Sequence, residues 1–354
     1  MSKTIVLTGG GTAGHVTPNL ALIPKLKLMG YRIEYIGTKN GMERQIIETT
    51  DVPYHMISAG KLRRYFSLKN LTDPAKILAG YMQAKRILKK IKPSVVFSKG
   101  GFVSVPVVFA ANRLGIPVVL HESDYTPGLA NRLCIPRADK VCVAFESTLK
   151  HIPDGKGVYT GLPIRVELFH GDKQRACSLC GFSGKKPVLL VMGGSLGAQA
   201  INDVLDTVMP QLTERFDVMH IRGKENLACG FLPCGCKQFG FVDNELADLY
   251  AAADIMLSRA GATAVFEILA LTIPALLVPL PKATSRGDQV LNAQYFEKQG
   301  FSHVLPQEEL TGETLLNAID ALYQDADNLR ERMKRENAAD AADVVAKVIA
   351  DVSK

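Results

Sequence analysis

One local pattern occurs twice in this chain: a short apolar strand that runs into a glycine-rich turn at the start of a helix. The first strand lies at residues 4–8 and is followed by GGGTAGH at 9–15; the second lies at 187–192 and is followed by GGSLG at 193–197. Glycines there let backbone N–H groups approach an anion, and the helix N-terminus adds partial positive charge. The two units predict two similar α/β domains that face each other across a cleft.

The rest of the chain alternates short β-rich runs with helical patterns, which is typical of parallel sheets with crossover helices. The further predicted strands lie at residues 33–36, 95–98, 117–121, 140–143, 217–221, 254–258 and 275–278. We therefore expect two Rossmann-like domains, an N-terminal one over residues 1–161 and a C-terminal one over 162–337. The connector is expected near residues 161–163.

Composition narrows the class of protein. The chain has 354 residues, of which 47% are hydrophobic, so it can bury a large core. The stretch closest to a membrane span, residues 268–280, is interrupted by Pro274 and Pro279 and is too short to cross a bilayer. The first eight residues resemble a buried strand and not a signal peptide, so we expect a cytoplasmic enzyme.

The seven cysteines are an odd number, spread through a chain without a secretory signal, which favours reduced thiols. Two pairs, Cys177 with Cys180 and Cys234 with Cys236, have spacings that resemble half of a metal site. No histidine follows either pair at zinc-finger spacing. We expect free thiols in surface loops.

Charge is distributed unevenly along the chain. Residues 1–164 hold 23 Lys and Arg against 10 Asp and Glu, whereas residues 165–354 hold 19 against 25. Ten of the basic residues, with a single acid, fall within the segment 61–92. The N-terminal half is therefore expected to meet an anionic partner or surface, although a solvated helix face would also explain the basic segment.

Polar clusters follow the predicted strands at their carboxyl ends, where ligands bind in open parallel sheets. They lie at residues 9–15, 98–101 and 121–124 in the N-terminal half, and at 193–197, 259–261 and 279–289 in the C-terminal half. This placement favours a binding site over turns that serve packing alone.

The clusters of the C-terminal half suit a nucleotide sugar. The second glycine loop offers N–H groups and the Ser195 hydroxyl to a phosphate but has no Walker lysine, which favours a diphosphate that is held and not hydrolysed. Glu267 can bind both hydroxyls of a ribose, unless it is merely a helix-surface acid. Asp288, Gln289 and Asn292 can read the hydroxyls of a sugar.

Two histidines lie at predicted strand ends in the N-terminal half. His15 and His121 can each take a proton near neutral pH, as deprotonation of an acceptor hydroxyl requires. A lone histidine is more often structural, but His15 follows a phosphate-type loop, which makes it the stronger candidate for a general base.

Five motifs, in order over essentially the whole chain, resemble the MurG family of peripheral N-acetylglucosaminyltransferases of bacterial peptidoglycan synthesis. They are GGGTAGHVTP at 9–18, HESDYTPGLANR at 121–132, GGSLGA at 193–198, SRAGATAVFEI at 258–268 and RGDQVLNA at 286–293. The combination is far more specific than any one motif.

The resemblance implies a GT-B fold, with two Rossmann-like domains and a last helix, at about 338–354, that returns to the first domain. It implies an inverting transfer of GlcNAc from UDP-GlcNAc to the 4-hydroxyl of MurNAc-pentapeptide on undecaprenyl diphosphate, the step from lipid I to lipid II. His15 would act as general base, and Ser195 with its loop would stabilise the departing UDP. Neither a metal, nor another cofactor, nor a nucleic-acid partner is implied.

The resemblance also assigns the remaining site residues by position. Thr12, Ala13 and Gly14 would line the donor site beside His15, and Asp124 would hold the donor or the acceptor. Gly101, His121, Glu122 and Asn131 would be secondary acceptor-side residues. Arg165, Ser195, Glu267 and Gln289 would hold UDP-GlcNAc from the C-terminal side.

Two residues depart from the family pattern. Ala13 replaces a more usual glycine, which requires that residue 13 has a negative φ or that no ligand needs the space. Asp124 replaces an asparagine and puts an anion where an amide donor was available, which leaves its role open. The pair Asp325 and Asp327, which has the Asp-x-Asp spacing of metal-dependent transferases, lies in a predicted polar helix and is interpreted as solvated surface.

The basic segment gains a role from this resemblance. Residues 75–91 carry apolar side chains at helical spacing, which predicts first of all a core-facing stripe: Ile77, Leu78, Tyr81, Met82, Leu88 and Ile91. We expect in addition that Phe66, Leu68 and Leu71 touch the bilayer beside the lipid acceptor. The nearby basic residues would contact anionic headgroups on the cytoplasmic face of the membrane: Lys61, Arg63, Arg64 and Lys69.

Three other functions are compatible with parts of the pattern. A related GT-B transferase could use a diacylglycerol or a small natural product as acceptor, and a UDP-GlcNAc epimerase could share the fold. A non-catalytic dinucleotide-binding module is disfavoured because the chain lacks the G-x-G-x-x-G spacing and because Glu34 is predicted to lie inside a strand.

Overall fold

The computed structural model describes residues 3–60, 69–194, 197–223, 226–227, 232–283, 287–336 and 341–354, with side chains in the second range described from residue 75 onwards. The chain divides into two compact units. The N-terminal unit comprises Met1–Arg165 and Ala339–Lys354, and the C-terminal unit comprises Val166–Ala338.

The N-terminal unit contains one parallel sheet. Its described strands are β1 (Thr4–Thr8), β2 (Arg32–Thr38), β3 (Tyr54–Ile57), β4 (Val95–Ser98), β5 (Val118–Glu122), β6 (Lys140–Val143) and β7 (Gly157–Tyr159). They are arranged in the order β3-β2-β1-β4-β5-β6-β7, and every neighbouring pair is parallel. The strands that follow β1 lie on one side of it, and the strands from β4 onwards lie on the other side. The place between β1 and β4 is therefore the switch point at which such sheets bind ligands.

The helices of this unit connect the strands. They are α1 (Thr17–Leu28), α2 (Met42–Ile47), α3 (Lys69–Ile91), α4 (Ser104–Arg113) and α5 (Leu129–Cys134), with short 3-10 helices at Ala13–His15, Ile135–Arg137 and Glu146–His151.

The C-terminal unit repeats this plan. Its described strands are β8 (Val188–Met192), β9 (Asp217–Ile221), β10 (Cys236–Phe239), β11 (Ile255–Ser258), β12 (Ala275–Leu277) and β13 (Ser302–Val304), in the parallel order β10-β9-β8-β11-β12-β13. Its helices are α6 (Lys173–Cys180), α7 (Gln199–Arg215), α8 (Leu246–Ala252), α9 (Ala262–Leu271), α10 (Asp288–Lys298) and α11 (Gly312–Arg335), with 3-10 helices at Val166–His170 and Gln307–Glu309. The switch point lies between β8 and β11.

Side chains of the central strands alternate between two buried cores in the N-terminal unit. In β1, Val6 packs in the cluster formed with residues of α3 and α4. Ile5 and Leu7 pack on the other face with residues of α1 and of the last helix, α12 (Ala341–Val352). Because helices cover both faces of the sheet, these strands are apolar without interruption and do not alternate with polar residues. The predicted pair of Rossmann-like parallel-sheet domains is confirmed.

All predicted strands are present, with small shifts of their ends, but four strands escaped prediction: β3, β7, β10 and β13. Each is the edge strand of its sheet. Their side chains are mostly half-buried, in contrast to the buried runs of β1 and β4. An edge strand has one neighbour and less cover, so its sequence carries a weaker apolar signal.

The prediction of a core-facing stripe in α3 is wrong for Leu78 and Met82, which are 58% and 56% exposed. The buried positions of this helix are Gly80, Ala84 and Leu88. Leu78 and Met82 each lie two residues from a buried position. Two residues correspond to about 200° around a helix, so both side chains lie on the opposite face. Of the other residues of the predicted stripe, Leu88 is buried in the core, and Tyr81 and Ile91 pack at its margin. Among the described residues, no helix is long and apolar enough to cross a membrane.

Helix α12, from the very end of the chain, packs into the core of the N-terminal unit. Val345, Ala346 and Ile349 are buried in the cluster that also holds residues of β1 and α1. We expect Ile349→Ala to lower the free energy of unfolding of the N-terminal unit by about 2–4 kcal/mol, because it leaves a cavity in a closed core.

Chemical denaturation measures this loss. The matched control is Val344→Ala on the same helix, where the side chain is 37% exposed and the expected change is below about 1 kcal/mol. Equal effects of the two substitutions would show that α12 does not contribute to the core in this way.

Candidate functional site

Three loops of the N-terminal unit meet at one edge of the sheet because β1, β4 and β5 are neighbours. The glycine loop at 9–15 follows β1, the turn at 98–101 follows β4, and the loop at 121–128 follows β5. Carboxyl ends of parallel strands share an edge, so the three predicted polar clusters of this half are brought together.

The first glycine loop fits tightly against the turn after β4. Gly101 has φ +80°, and a Cβ there would lie 2.1 Å from the Gly10 carbonyl oxygen and 3.2 Å from Cδ2 of His15. Gly11 has φ +91°, and a Cβ there would lie 2.7 Å from the Phe102 ring. Larger residues at these positions would push the two loops apart. The role of Gly101 is therefore to allow the backbone beside His15 to approach closely.

His15 ends a single 3-10 turn, Ala13–His15, directly before α1. Its ring is half-buried, whereas Thr12 is exposed. Ala13 and Gly14 both have negative φ, since neither is among the described residues with positive φ. Residue 13 therefore has the negative φ that an alanine at this position requires. The structure places Thr12, Ala13, Gly14 and His15 next to one another just before a twelve-residue helix, with Thr12 exposed and the other three half-buried.

Glu43, in α2, holds the first glycine loop from the interior of the unit. This role was not predicted. Its side chain is fully buried and accepts hydrogen bonds from the Gly11 amide at 3.2 Å, the Thr38 amide at 3.0 Å and the Thr38 hydroxyl. A Cβ at Gly10 or at Gly41 would lie within 2.5 Å of the Glu43 side chain. The glycines of this region therefore leave room for a buried carboxylate as well as for a ligand.

Two further hydrogen bonds fix the start of the loop. The Tyr35 hydroxyl donates to the Gly9 carbonyl at 2.8 Å, and Asn19 Nδ2 donates to the Tyr35 oxygen at 3.2 Å. Both side chains are fully buried, and burial raises the pKa of Tyr35 far above its ordinary value. The phenol therefore stays protonated and remains a donor.

His121 does not behave as predicted from the sequence. It is fully buried, and its Nε2 lies 2.9 Å from the Gly161 carbonyl oxygen. Burial, with a contribution from the nearby Lys99 charge, lowers its pKa well below the ordinary value. The expectation that His121 takes a proton near neutral pH is wrong, because the charged imidazolium would have to be desolvated.

Glu122 and Asn131 shape the loop after β5. Glu122 is 3% exposed and accepts from the amides of Asp124 and Gly128, each at 2.9 Å, and from Asn131 Nδ2 at 2.8 Å. Asn131 Nδ2 also lies 3.2 Å from the His121 carbonyl. Burial and the neighbouring Asp124 raise the pKa of Glu122. These two residues hold the loop in place, and Asp124 is the half-buried acid that it presents.

In the C-terminal unit, the second glycine loop packs against the end of β9. Gly194 and Gly197 have φ +91° and +79°. A Cβ at Gly197 would lie 2.1 Å from the Arg222 carbonyl oxygen. No described residue lies within 4 Å of a Cβ built at Gly194, which leaves open space beside the loop. Ser195, predicted to meet a diphosphate, lies outside the described residues.

The turn after β11 and the loop after β12 are tied together. Arg259 Nη1 donates to the Val278 carbonyl at 3.0 Å, and Asn292 Nδ2 donates to the Ala260 carbonyl at 3.1 Å. Asn292 is fully buried, so the prediction that it reads sugar hydroxyls is wrong. Gln289 Oε1 accepts a hydrogen bond from the Leu280 amide at 3.0 Å. The side-chain amide nitrogen of Gln289 is therefore the group that can donate hydrogen bonds to a ligand.

Glu267 is not the helix-surface acid that was its alternative interpretation. It is 6% exposed in the second turn of α9, and its Oε2 accepts a hydrogen bond of 2.8 Å from the Tyr250 hydroxyl. Arg165, the last residue of the main N-terminal segment, is half-buried. Its Nε is buried without a hydrogen-bond partner among the described residues.

The groups that resembled metal sites are explained by local contacts. Asp325 lies 3.0 Å from His303 Nε2, and Asp327 lies 2.8 Å from Arg330 Nη1; both acids are in α11. Within the described part of the chain, no three potential ligands form a group that could hold a metal ion. Cys177, Cys180, Cys234 and Cys236 are free thiols, of which Cys234 is exposed.

Comparison with known proteins gives consistent matches over both units. The model of the glycosyltransferase family 28 N-terminal domain matches residues 5–143, and that of the family 28 C-terminal domain matches residues 188–348.

Two relatives carry the name UDP-N-acetylglucosamine–N-acetylmuramyl-(pentapeptide) pyrophosphoryl-undecaprenol N-acetylglucosamine transferase. The one from Lachnoclostridium phytofermentans is 53% identical over 351 residues, 99% of each chain. The one from Geobacillus thermodenitrificans is 53% identical over 342 residues, 96% of each chain. The crystal structure of MurG from Acinetobacter baumannii is similar with a TM-score of 0.77 at 28% identity, and the match covers 99% of both chains.

Glu43 offers a direct test of how the first glycine loop is held. Glu43→Gln replaces one acceptor oxygen with an N–H₂ group that would face the amide of Gly11 or Thr38. We expect it to lower the free energy of unfolding by about 1–3 kcal/mol, because a buried donor is left unpaired.

The control is Glu48→Gln, since Glu48 is an exposed acid close in sequence that pairs with Arg44 at 2.7 Å. A surface pair of this kind contributes at most about 1 kcal/mol. Denaturation curves of the two variants would contradict the account if Glu43→Gln were no less stable than Glu48→Gln.

Proposed function

The chain belongs to glycosyltransferase family 28, and from this premise we propose that it transfers GlcNAc from UDP-GlcNAc to the 4-hydroxyl of undecaprenyl-diphospho-MurNAc-pentapeptide. The observation that carries the proposal is the full-length similarity to transferases whose names state this donor and this acceptor. The reaction converts lipid I into lipid II in peptidoglycan synthesis. The sites described above are proposed to supply the groups that this chemistry needs.

On the N-terminal unit, the proposed acceptor side is the edge formed by the loops after β1, β4 and β5. The N-terminus of α1 and the backbone of residues 12–14 suit the diphosphate or sugar of the acceptor. His15 lies at this edge with a half-buried ring and is proposed as the general base. Asp124, held by Glu122, is proposed to bind acceptor hydroxyls or amides.

On the C-terminal unit, the proposed donor side is the edge formed by the loops after β8, β11 and β12. The glycine loop at 193–197, with open space beside Gly194, would hold the UDP diphosphate. Glu267, oriented by Tyr250, would bind the ribose hydroxyls, and the amide nitrogen of Gln289 would donate to the donor sugar. Arg165, expected on the C-terminal side, belongs instead to the end of the N-terminal unit. It is proposed to meet the donor phosphates, because its Nε is buried without a hydrogen-bond partner among the described residues.

The proposed mechanism is one displacement at the anomeric carbon. His15 removes the proton of the acceptor hydroxyl as its oxygen attacks C1 of GlcNAc, and the bond from C1 to the UDP oxygen breaks. The electron pair leaves with UDP, whose charge is stabilised by backbone N–H groups and a helix N-terminus. Attack opposite to the leaving group inverts the configuration at C1.

A peripheral position at the membrane follows as a proposal from the lipid-linked acceptor and from α3. Leu78, Met82, Arg86 and Lys90 recur every four residues on one exposed face of this helix. Apolar side chains at one end of that face and basic ones at the other suit insertion beside anionic headgroups. The side chains first expected at the bilayer, Phe66, Leu68 and Leu71, lie outside those described, as do Lys61, Arg63, Arg64 and Lys69.

The catalytic role of His15 is tested by transfer of labelled GlcNAc from UDP-GlcNAc to a lipid I analogue. We expect His15→Ala to lower kcat by at least about 100-fold with little change in the KM for UDP-GlcNAc, since a general base acts mainly in the transition state. His151→Ala removes an exposed histidine of the same unit and should leave kcat unchanged. Undiminished turnover in His15→Ala would remove His15 from the role of base.

The membrane face is tested by co-sedimentation with vesicles that contain phosphatidylglycerol. Arg86→Gln with Lys90→Gln should weaken binding roughly 10- to 30-fold at low salt, given about 1 kcal/mol for each basic residue near an anionic surface. Leu78→Asp with Met82→Asp should also weaken it, because charge cannot enter the headgroup boundary cheaply.

The control for these variants is Leu28→Asp, which changes an apolar side chain that is 85% exposed on α1. It should bind vesicles like the unmodified protein. If all three variants bind equally well, the exposed face of α3 is not the membrane contact.

A further inference from the structure

A buried lysine lies between the two acceptor-side loops, and the mechanism above does not use it. Lys99 follows β4 and is 1% exposed. Among the described lysines and arginines of the N-terminal unit, it is the one that is buried. Burying an ammonium group is costly unless it is paired, so its surroundings must compensate for the charge.

The contacts of Lys99 connect it with both loops. Its amide donates to the Thr8 carbonyl at 2.9 Å, and a Cβ built at Gly9 would lie 3.1 Å from the Lys99 Cβ. Its Nζ donates to the hydroxyl of Ser123, which lies between Glu122 and Asp124. The side chain therefore crosses from the base of the His15 loop to the loop that presents Asp124.

The charged side chains around the Lys99 ammonium are acidic, and there are two of them. Glu122 and Asp124 both interact with it electrostatically, and both carry negative charge when ionised. His121 is buried and neutral, and burial raises the pKa of the Cys142 thiol, on β6, to about 12, so neither contributes charge near neutral pH. The Lys99 charge is thus what offsets two acids at the edge where an anionic acceptor must bind.

We infer that Lys99 is a positioning residue for the lipid-linked acceptor, acting through Ser123 and Asp124. Its ammonium fixes the loop after β5 against the glycine loop and balances the charge of Asp124. With the charge in place, Asp124 can accept hydrogen bonds from the acceptor without repelling its diphosphate. This inference rests on the proposed function and adds a residue to it that touches no substrate.

The Lys99 ammonium should make acceptor binding depend on pH. Burial lowers the pKa of Lys99 to about 8, although the charges of Glu122 and Asp124 partly oppose this shift. As pH rises through this value the ammonium loses its proton, and the two carboxylates are no longer offset. The KM for the acceptor should therefore rise above about pH 8, while the KM for UDP-GlcNAc, bound by the other unit, stays constant.

Steady-state kinetics of the full-length protein with a lipid I analogue test this. Lys99→Met keeps an unbranched side chain, one atom shorter, and removes its charge. We expect roughly a 10-fold rise in the KM for the acceptor at pH 7, no change in the KM for UDP-GlcNAc and no further rise above pH 8. Lys27→Met, which removes a surface lysine paired with Asp51 at 2.6 Å, is the matched control and should change neither constant.

A double-mutant cycle with Asp124→Asn separates charge balance from simple loss of structure. In the Asp124→Asn background, Lys99→Met should raise the acceptor KM by only about 2-fold, because the anion that needed balancing is gone. If the effects of the two substitutions multiply instead, Lys99 does not act through Asp124 and the inference fails.

The unmodified protein and Asp124→Asn provide a second measurement should Lys99→Met not fold. The acceptor KM of the unmodified protein should rise between pH 7 and pH 9, and that of Asp124→Asn should rise much less. Equal pH profiles would overturn the inference. Absence of transfer by the unmodified protein would instead contradict the proposed function, so the two failures can be told apart.

Discussion

The candidate acceptor site depends on one steric constraint: two backbone segments touch at the carboxyl edge of the N-terminal sheet. Gly101 and the Gly10 carbonyl are so close that a single added Cβ would lie 2.1 Å from the oxygen. This approach is possible because β1 and β4 are neighbours at the switch point and both end in glycine-rich turns. It brings the His15 ring against the turn after β4.

Buried polar side chains hold this contact in place from within the unit. Glu43 accepts from the first glycine loop, and Glu122 accepts from the loop after β5. Carboxylates suit this task because one group can satisfy several backbone N–H donors that strand-to-helix turns leave without partners. The loops are thus rigid where they meet the core, while Thr12 and the edge of His15 face outward. Preorganised groups of this kind lower the cost of binding and catalysis.

The sequence was informative where burial on both faces imposes a continuous apolar pattern. The central strands, such as β1 and β8, were predicted for this reason, and the glycines marked the loops that follow them. The edge strands β3 and β13 were missed because partial exposure weakens the pattern. Lys99 lies in the predicted polar cluster 98–101, but its burial was not predicted, and Glu43 was missed altogether. The reason is that a lone charged residue shows no sign of burial in one sequence. His121 was misjudged because its strand-end position does not reveal how completely neighbouring loops cover it.

The central claim is that this chain joins GlcNAc to a lipid-linked MurNAc with inversion, and the structure of the product tests it most directly. The unmodified protein would be incubated with UDP-GlcNAc, in which the sugar is α-linked, and a lipid I analogue, and the released disaccharide would be analysed by NMR. The account predicts a β-linked GlcNAc on the 4-hydroxyl of MurNAc, with one UDP released per linkage. An α-linked product, or an epimerised UDP-sugar without transfer, would contradict it.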